Sequence, residues 1–444
     1  MSHDPLDAGI ARGQPVFLPA FQITTIGDIS NPSTERSMFP GAKELNWYDP
    51  DNEHWHYCVG LYSLGQSSLD LKDPNERILT QRDRSRTLLI ADSGGYQLGH
   101  NTFKAIKEEV TPRFLQSEKY NDVRKSVLKW MEAYADYGLI IDFPAWAIGE
   151  PKFIFSEFKD CLRETRRNME FFRDNLSGDT PLKLLSVIQG RDIWEAINWY
   201  DSVKNVKCFP YSGWSFAGPV VKDTTITIKM ILLMLREGRL NQTENWIHLL
   251  GRGSPTAIFV FTILQQCLDE FIGQNIRISF DVSNPFLMGG RYAKTYKPID
   301  MGRSGYTMPS VSYSDIKSLI QVVRTCYPNL ERPLRYWEWS GPFDAVCNEN
   351  DLKVPVTLRN KYGIDTKTYA YYVHRNVYLF CRGMRIIIHN TQALSDSENS
   401  TYFTPFLRQF RKDVRAIFQK FSAGNMSVNE IKYLNISRDY EKLI

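Results

Sequence analysis

The sequence predicts a (β/α)8 TIM barrel, an α/β fold class, and three observations support this prediction. Short apolar runs recur along the 444 residues, helical patterns separate the runs, and polar residues follow them. Several runs are apolar on both faces, for example Leu88-Leu89-Ile90-Ala91, which is typical of parallel strands covered on both sides. A doubly wound open sheet is the alternative arrangement of the same elements.

Eight segments have the length and composition of buried strands. They are Pro15–Phe21, Leu88–Asp92, Gly138–Phe143, Lys183–Gln189, Cys208–Gly213, Trp246–Gly251, Ile276–Asp281 and Arg385–Asn390. Amphipathic segments between them, including Val123–Tyr137, Phe155–Asn175 and Thr225–Arg236, are predicted as helices. Eight strands that alternate with helices favour the barrel.

Two intervals are too long for simple connections. Residues 22–87 and 286–384 are therefore predicted as insertions after the first and seventh strands. Residues 1–393 form the predicted barrel domain, and residues 394–444 a helical extension that packs on its exterior. A basic amphipathic helix, Phe406–Phe421, is predicted within this extension.

Composition predicts a soluble, cytoplasmic protein with no membrane partner. Hydrophobic residues make up 43% of the chain and charged residues 23%, which is ordinary for a globular domain. The seven cysteines are scattered without a CxxC pair, the N-terminus lacks a signal-peptide pattern, and no apolar run could span a bilayer. Residues 285–390 contain 15 Lys and Arg against 8 Asp and Glu, which fits either a nucleic-acid surface or a solvated one.

The segment Asp92-Ser93-Gly94-Gly95-Tyr96-Gln97 is the most informative part of the chain. It starts where a predicted strand ends and combines a carboxylate, a glycine pair, an aromatic ring and an amide. Glycines permit close backbone approach and an aromatic ring can stack on a flat ligand, so the segment suits a nucleobase. The structural alternative is an Asx-turn that serves only chain reversal.

Further polar residues follow the other predicted strands. Asp142 ends one strand, Gln189 the next, and Asp281 the seventh, while Gly213–Gly218 and His248–Gly253 supply glycine-rich turns. The carboxyl ends of barrel strands form one mouth, so three carboxylates and an amide are expected to converge there. Each acid alone could instead be a helix cap or a turn residue.

These motifs resemble those of the tRNA-guanine transglycosylase superfamily, in the same order along residues 13–290. The similar segments are Gly13–Ala20, the Asp92–Gln97 motif, Ser186–Gly190, Leu249–Pro255 and Phe280–Val282, with a weaker match at Tyr371–Asn390. The family consists of barrel enzymes that exchange guanine for a 7-deazaguanine base.

The resemblance implies a role for each matched residue. Asp281 would be the catalytic nucleophile that attacks the sugar C1′, and Asp92 the catalytic general acid and base. The residues implied to bind the base are Ser93, Tyr96, Asp142, Gln189, Gly218, Leu250 and Gly251. Asp142 and Gln189 would read its hydrogen-bonding edge, and Tyr96 and Leu250 would enclose its ring.

The metal site of typical family members is incomplete in this sequence. Those members bind structural zinc through three closely spaced cysteines and a later histidine. Only Cys347 and His374 have the expected separation here, whereas Pro342 and Asp344 occupy the other positions. Tetrahedral zinc requires four ligands, so the sequence predicts no cofactor and a degenerate zinc site.

The segment after Asp281 also departs from the tRNA-acting members. Their Leu-Pro-Thr-Arg run is replaced by Ser283–Arg291. A remodelled nucleic-acid surface beside intact base-exchange residues resembles the DNA-acting branch, which inserts 7-deazaguanine derivatives into DNA. The residues expected to bind the strand are Arg291, Lys294, Lys297 and Arg303, interleaved with tyrosines.

The sequence therefore predicts a DNA-guanine transglycosylase, with DNA and a 7-deazaguanine base such as preQ0 as its partners. Three alternatives stay open: a tRNA-guanine transglycosylase with a degenerate zinc site, a non-catalytic nucleic-acid-binding subunit, and an unrelated barrel glycosidase. The family often forms homodimers, but the sequence decides neither the oligomeric state nor a need for accessory DNA-modification proteins.

Overall fold

Eight parallel strands close into a barrel, which confirms the predicted fold class. The computed structural model describes residues 13–22, 46–52, 55–74, 76–273, 275–290, 292, 294–296, 299–302, 305–312, 366–394 and 403–444. The barrel strands are β1 (Val16–Phe21), β2 (Val59–Ser63), β3 (Leu88–Asp92), β4 (Tyr137–Leu139), β5 (Lys183–Ile188), β6 (Tyr211–Phe216), β7 (Trp246–Leu249) and β8 (Arg277–Val282). Each strand pairs with its neighbours along the chain, and β1 pairs with β8 to close the barrel.

The second strand was not predicted, because β2 lies inside the interval 22–87 that the sequence indicates as an insertion. All five residues of β2 are buried, although Gly60 interrupts its apolar pattern. This glycine is required for packing, since a Cβ atom at Gly60 would lie 2.4 Å from the ring of Phe21 on β1. Because polar residues surround this strand and a glycine lies inside it, the sequence pattern does not indicate a strand here.

The predicted strand Arg385–Asn390 is wrong, because these residues belong to a helix that spans Thr366–Gln392. Its buried apolar side chains Val377, Cys381, Met384 and Ile388 recur every three or four residues, which is helical spacing. The interval 286–384 consequently follows the last barrel strand. The division into a domain of residues 1–393 and an extension of residues 394–444 stays a prediction.

Helices lie between the strands and after the barrel. They are α1 (Arg77–Thr80), α2 (Gly95–Gly99), α3 (Glu118–Tyr134), α4 (Phe158–Asn175), α5 (Ile193–Val203), α6 (Pro219–Lys222), α7 (Thr224–Arg236), α8 (Pro255–Cys267), α9 (Asn284–Gly290), α10 (Thr366–Gln392), α11 (Pro405–Ser422) and α12 (Val428–Lys432). Side-chain caps start several of them. Asp192, Asp223 and Ser254 each accept a backbone N–H in the first turn of the helix that follows. None of the described helices is both long and apolar enough to cross a membrane.

Two long helices after β8 pack against the outside of the barrel. Phe380 of α10 contacts Phe17 of β1, with ring centroids 4.9 Å apart. Phe410 of α11 contacts Phe259 of α8 at 6.3 Å, and the ring of Phe403, just before α11, also lies against Phe259. The helix predicted at Phe406–Phe421 is confirmed. Short antiparallel pairs, β9 (Lys294–Tyr296) with β12 (Ser310–Ser312) and β10 (Asp300–Gly302) with β11 (Gly305–Thr307), lie between β8 and α10.

The turn after β3 packs directly against the segments that follow the neighbouring strands. Gly94 has φ of +80°, and a Cβ atom there would lie 2.4 Å from the backbone nitrogen of Gly65, beyond β2. A Cβ atom at Gly95 would lie 1.8 Å from the carbonyl oxygen of Asp142, beyond β4. The glycine pair is therefore required by contacts within the protein as well as by any approach of a ligand.

We predict that Gly95→Ala destabilises the protein. The added methyl group must displace the Asp142 backbone, so the free energy of unfolding should fall by about 2 kcal/mol or more. Urea unfolding measures this change. Gly178→Ala is the matched control, because a Cβ atom at Gly178 meets no atom within 4 Å. Equal unfolding midpoints for Gly95→Ala and wild type would contradict the prediction.

Candidate active site

The polar residues predicted at the strand ends do converge on the mouth of the barrel. Asp92 is the last residue of β3, Asp281 lies one residue before the end of β8, and Gln189 directly follows β5. Asp142 lies three residues beyond β4. The electrostatic influence of Asp92 extends to both other acids, since it interacts with Asp281 and with Asp142. Three carboxylates therefore share one site.

Asp92 lies in a setting that favours its protonated form. It keeps some contact with solvent, but the surrounding protein raises the pKa of its carboxyl group by desolvation. The nearby charge of Asp281 raises the pKa further, whereas the Ser63 hydroxyl and the Gly94 N–H, 3.4 Å from Oδ1, lower it. Desolvation has the largest effect on this pKa, and the Ser63 hydroxyl has the next largest. A carboxyl group with a raised pKa is better suited to act as a general acid.

Asp142 and Gln189 form a directly bonded pair. Gln189 Nε2 donates to Asp142 Oδ2 at 2.6 Å. Gln189 is 2% exposed and Asp142 is 7% exposed. Burial raises the pKa of Asp142 to about 7, and the bond from Gln189 only partly offsets this rise. Gln189 Oε1 is buried and has no hydrogen-bond partner among the described residues. An unpaired acceptor beside a carboxyl group is an arrangement that can receive the N–H donors of a ligand.

Asp281 is held by backbone and side-chain groups of the adjacent β7 region. The N–H of Gly251 donates to Asp281 Oδ1 at 2.7 Å. Gly251 has φ of +71°, which presents this N–H to the carboxylate and strongly favours glycine. The ring nitrogen Nε2 of fully buried His248 lies 3.4 Å from the same oxygen. The structure thus places Gly251, predicted to bind the base, in contact with the predicted nucleophile.

An aromatic wall borders the site on the side of the Asp92 motif. Tyr96 is 44% exposed, and its ring stacks on Trp146 with centroids 5.6 Å apart and planes at 15°. The His100 ring also lies against the Tyr96 ring, with centroids 4.1 Å apart. The ring of His100 is fixed by hydrogen bonds to the Tyr96 carbonyl oxygen and to Glu150. Tyr96 therefore presents a supported aromatic surface to solvent, as stacking on a base requires.

The remaining predicted base-binding residues differ in how they face the site. Gly218 has φ of +59°, and its position excludes any larger residue because a Cβ atom there would lie 2.1 Å from the Trp146 ring. The hydroxyl of Ser93 donates to the carbonyl oxygen of Ile140 at 2.9 Å, so it links β3 to the β4 segment. Leu250 is half-buried, and its N–H continues the β6–β7 pairing by donating to Phe216.

The predicted nucleic-acid and metal residues are only partly covered by the structure. Lys294 is exposed on β9, whereas Arg291, Lys297, Arg303 and Cys347 lie outside the described residues. His374 is buried in α10, and desolvation lowers the pKa of its ring to about 3. The described part of the chain contains no group of three or more His, Cys, Asp and Glu residues arranged to hold a metal ion.

Three residues of the site received no role from the sequence. Ser63 was missed because β2 was missed. His100 and His248 are isolated histidines in the sequence, and only their distances from Tyr96 and Asp281 reveal their contacts. The sequence does place His248 within a predicted strand, and in the structure His248 is paired with Ser279 of the neighbouring strand β8.

A scan of protein-family models and a search of curated proteins find no match to this chain. Assignment of chemistry therefore depends on the motif resemblance and on the geometry of the site. The geometry provides a carboxyl group that favours protonation, a carboxylate held by a backbone N–H, and an acceptor pair beside an exposed aromatic ring. Such a set is suited to acid–base and nucleophilic steps on a flat, donor-bearing ligand.

We predict that Asp142→Asn makes stability less dependent on pH. The folded protein disfavours the charged form of Asp142. The contribution of this group to the free energy of unfolding is therefore fully present below the ordinary aspartate pKa of 3.8, and it is lost as the pH rises through the folded-state pKa of about 7. Between about pH 5 and about pH 8 the wild-type free energy of unfolding should fall by on the order of 2 to 3 kcal/mol more than that of the variant. Urea unfolding at both pH values measures the difference.

Asp179→Asn is the matched control for this measurement, because Asp179 is exposed. It should unfold with the pH dependence of wild type. Identical pH dependence in Asp142→Asn and wild type would show that the Asp142 carboxyl group ionises normally in the folded protein.

Proposed function

We propose that this protein is a base-exchange glycosyltransferase, a guanine transglycosylase that replaces guanine in DNA with a 7-deazaguanine base such as preQ0. The observation that carries the proposal is the contrast between two neighbouring carboxyl groups. The Gly251 N–H donates a hydrogen bond to Asp281 Oδ1, whereas burial raises the pKa of Asp92 and favours its protonated form. Double displacement at C1′ requires one carboxyl group to act as the nucleophile and a second to act as general acid and base.

The first displacement uses both groups. An Asp281 oxygen attacks C1′ and forms a C–O bond, while the bond from C1′ to N9 of guanine breaks and its electron pair leaves with the base. Asp92 supplies the proton that the departing base takes up. The products are free guanine and a glycosyl ester on Asp281, with Asp92 now a carboxylate.

The second displacement reverses these roles. Asp92 removes the N9 proton of the incoming base, the N9 electron pair attacks C1′, and the ester bond to Asp281 breaks. Both carboxyl groups return to their starting states, so exchange consumes no cofactor and no external oxidant or reductant.

Recognition of a guanine-like base is supported by the acceptors in the site. Guanine and its 7-deaza analogues carry N–H donors on one edge, and Gln189 Oε1 is buried beside Asp142 with no partner among the described residues. Adenine lacks the ring N–H on that edge. Tyr96 offers an exposed ring, supported by Trp146, on which the base can stack.

The choice of DNA is supported by the segment after the nucleophile. Helix α9 begins at Asn284, two residues after β8 ends, and takes the place of the run found in the tRNA-acting members that the sequence resembles. A base in duplex DNA must leave the stack before C1′ can be attacked, at a cost of a few kcal/mol. Single-stranded or locally opened DNA is therefore the better acceptor under this proposal.

We predict that Asp281→Asn abolishes base exchange and Asp92→Asn slows it. Loss of the nucleophile should lower kcat by at least about 10³-fold, and loss of the acid by about 10²- to 10⁴-fold. Incorporation of radiolabelled guanine into DNA measures both effects. Asp179→Asn, at an exposed acid in the loop that leads into the amino end of β5, is the matched control and should exchange at the wild-type rate. Exchange by Asp281→Asn at the wild-type rate would falsify the assignment of the nucleophile.

The acceptor is decided by offering duplex DNA, single-stranded DNA and bulk tRNA in parallel. Label in DNA alone supports the proposal, with single strands labelled faster than duplex. Label in tRNA alone identifies the tRNA-acting alternative. Label in none of them, with guanine still bound, supports a non-catalytic subunit.

A further inference from the structure

A chain of buried side chains leads to Asp281 from the interior of the barrel. Trp246 and His248 on β7, and Ser279 and Asp281 on β8, alternate along their strands and so face the same side. Trp246 Nε1 donates to Ser279 Oγ at 2.7 Å, and Ser279 Oγ lies 2.9 Å from His248 Nδ1. His248 Nε2 in turn lies 3.4 Å from Asp281 Oδ1.

The direction of these hydrogen bonds follows from the first donor. An indole N–H can only donate, so Ser279 Oγ accepts from Trp246 and has one proton of its own to give. The better placed acceptor for that proton is His248 Nδ1 at 2.9 Å, because the alternative, the carbonyl oxygen of Ile247, is 3.5 Å away. A neutral imidazole whose Nδ1 accepts must carry its proton on Nε2.

The opposite tautomer would place two lone pairs against each other. With the proton on Nδ1, the unprotonated Nε2 would face the carboxylate of Asp281 at 3.4 Å. The ring has no other described partner at Nε2, and His248 is fully buried. In the Nε2–H form the same contact is attractive. A small decrease in the distance between Nε2 and Oδ1 brings it to hydrogen-bond length, as catalytic contacts often tighten when substrate binds.

Both groups that approach Asp281 do so at the same oxygen. The Gly251 N–H donates to Oδ1, and His248 Nε2 lies 3.4 Å from the same oxygen. Oδ2 accepts no hydrogen bond from the described residues. Donors on Oδ1 fix the rotation of the carboxylate and leave the lone pairs of Oδ2 unshared. The oxygen without donors is the better nucleophile.

The geometry points to His248 as the positioning residue of the nucleophile: its Nε2–H tautomer, set by Trp246 through Ser279, holds Oδ1 so that Oδ2 attacks C1′. This inference rests on the proposed function for the identity of the attacked atom. The hydrogen-bond direction itself depends only on the four side chains. A relay of this kind acts on the orientation of Asp281 and makes no contact with the base.

Nitrogen-15 NMR of protein labelled in its histidine rings tests the tautomer independently of activity. The chain contains seven histidines, and the signals of His248 are those missing from His248→Gln. Wild type should show a protonated Nε2 and an unprotonated Nδ1. Ser279→Ala removes the donor to Nδ1 and should raise the fraction of the Nδ1–H form, because only the contact with Asp281 then opposes that form. A wild-type ring protonated at Nδ1, or a ring unchanged by Ser279→Ala, would overturn the inference.

Kinetics of base exchange test the positioning role in the same variants. Ser279→Ala and His248→Leu should lower kcat by about 10- to 100-fold with KM for the base unchanged, the effect typical of groups that orient a reacting side chain. His248→Gln keeps an N–H near the position of Nε2 and should recover much of the loss. A parallel rise in KM, or equal activity in His248→Leu and His248→Gln, would contradict positioning.

Ser215→Ala is the matched control, because Ser215 is a fully buried serine at the β6 position paired with His248, and its hydroxyl has no partner among the described residues. It should change neither the tautomer nor kcat. If the tautomer responds to Ser279→Ala but wild type exchanges no base, the hydrogen-bond chain stands and the proposed function fails. If wild type exchanges base and Ser279→Ala alters neither readout, the proposed function stands and the inference fails.

Discussion

The candidate site depends on the close approach of the turn after β3 to the segments beyond β2 and β4. Only glycine at positions 94 and 95 leaves room for the Gly65 backbone on one side and the Asp142 carbonyl on the other. This contact brings Asp92 and Asp142 near enough to influence each other's ionisation. Burial of several carboxyl groups in one mouth is unfavourable. It is tolerated here because hydrogen bonds and raised pKa values reduce the charge that must be buried.

Four polar side chains lie at the mouth, those of Asp92, Asp142, Gln189 and Asp281. Their surroundings differ, and this difference suits them to different chemical roles. Asp281 receives a backbone N–H and approaches a buried imidazole, while Asp92 is mainly desolvated. Asp142 is paired with a neutral amide instead of a cation. A barrel supplies such contrasts readily, because each residue comes from a different strand end and has its own neighbours.

Much of this arrangement was predictable, and the parts that were not have physical reasons. Runs such as Leu88–Ala91 reveal strands because burial on both faces demands apolar residues throughout. Strand β2 is not indicated by the sequence, because Gly60 and Tyr62 satisfy contacts that form only in the assembled barrel. The prediction of a strand at Arg385–Asn390 is wrong because its isoleucines fit a strand as well as a helix. The acids were found from their places after strands. The His248 and His100 contacts were not, since pairing across strands or turns fixes them.

The bond between Gln189 and Asp142 has a consequence for selectivity. Within the protein itself the amide of Gln189 already occupies Asp142 Oδ2 at 2.6 Å. A ligand that uses this oxygen must replace an existing hydrogen bond, so its gain is the difference between two bonds and not the full strength of one. A ring without well-placed donors gains nothing from the exchange and leaves the amide in place. Discrimination between bases thus arises from competition with an internal partner, which penalises a poor ligand even when it fits the space.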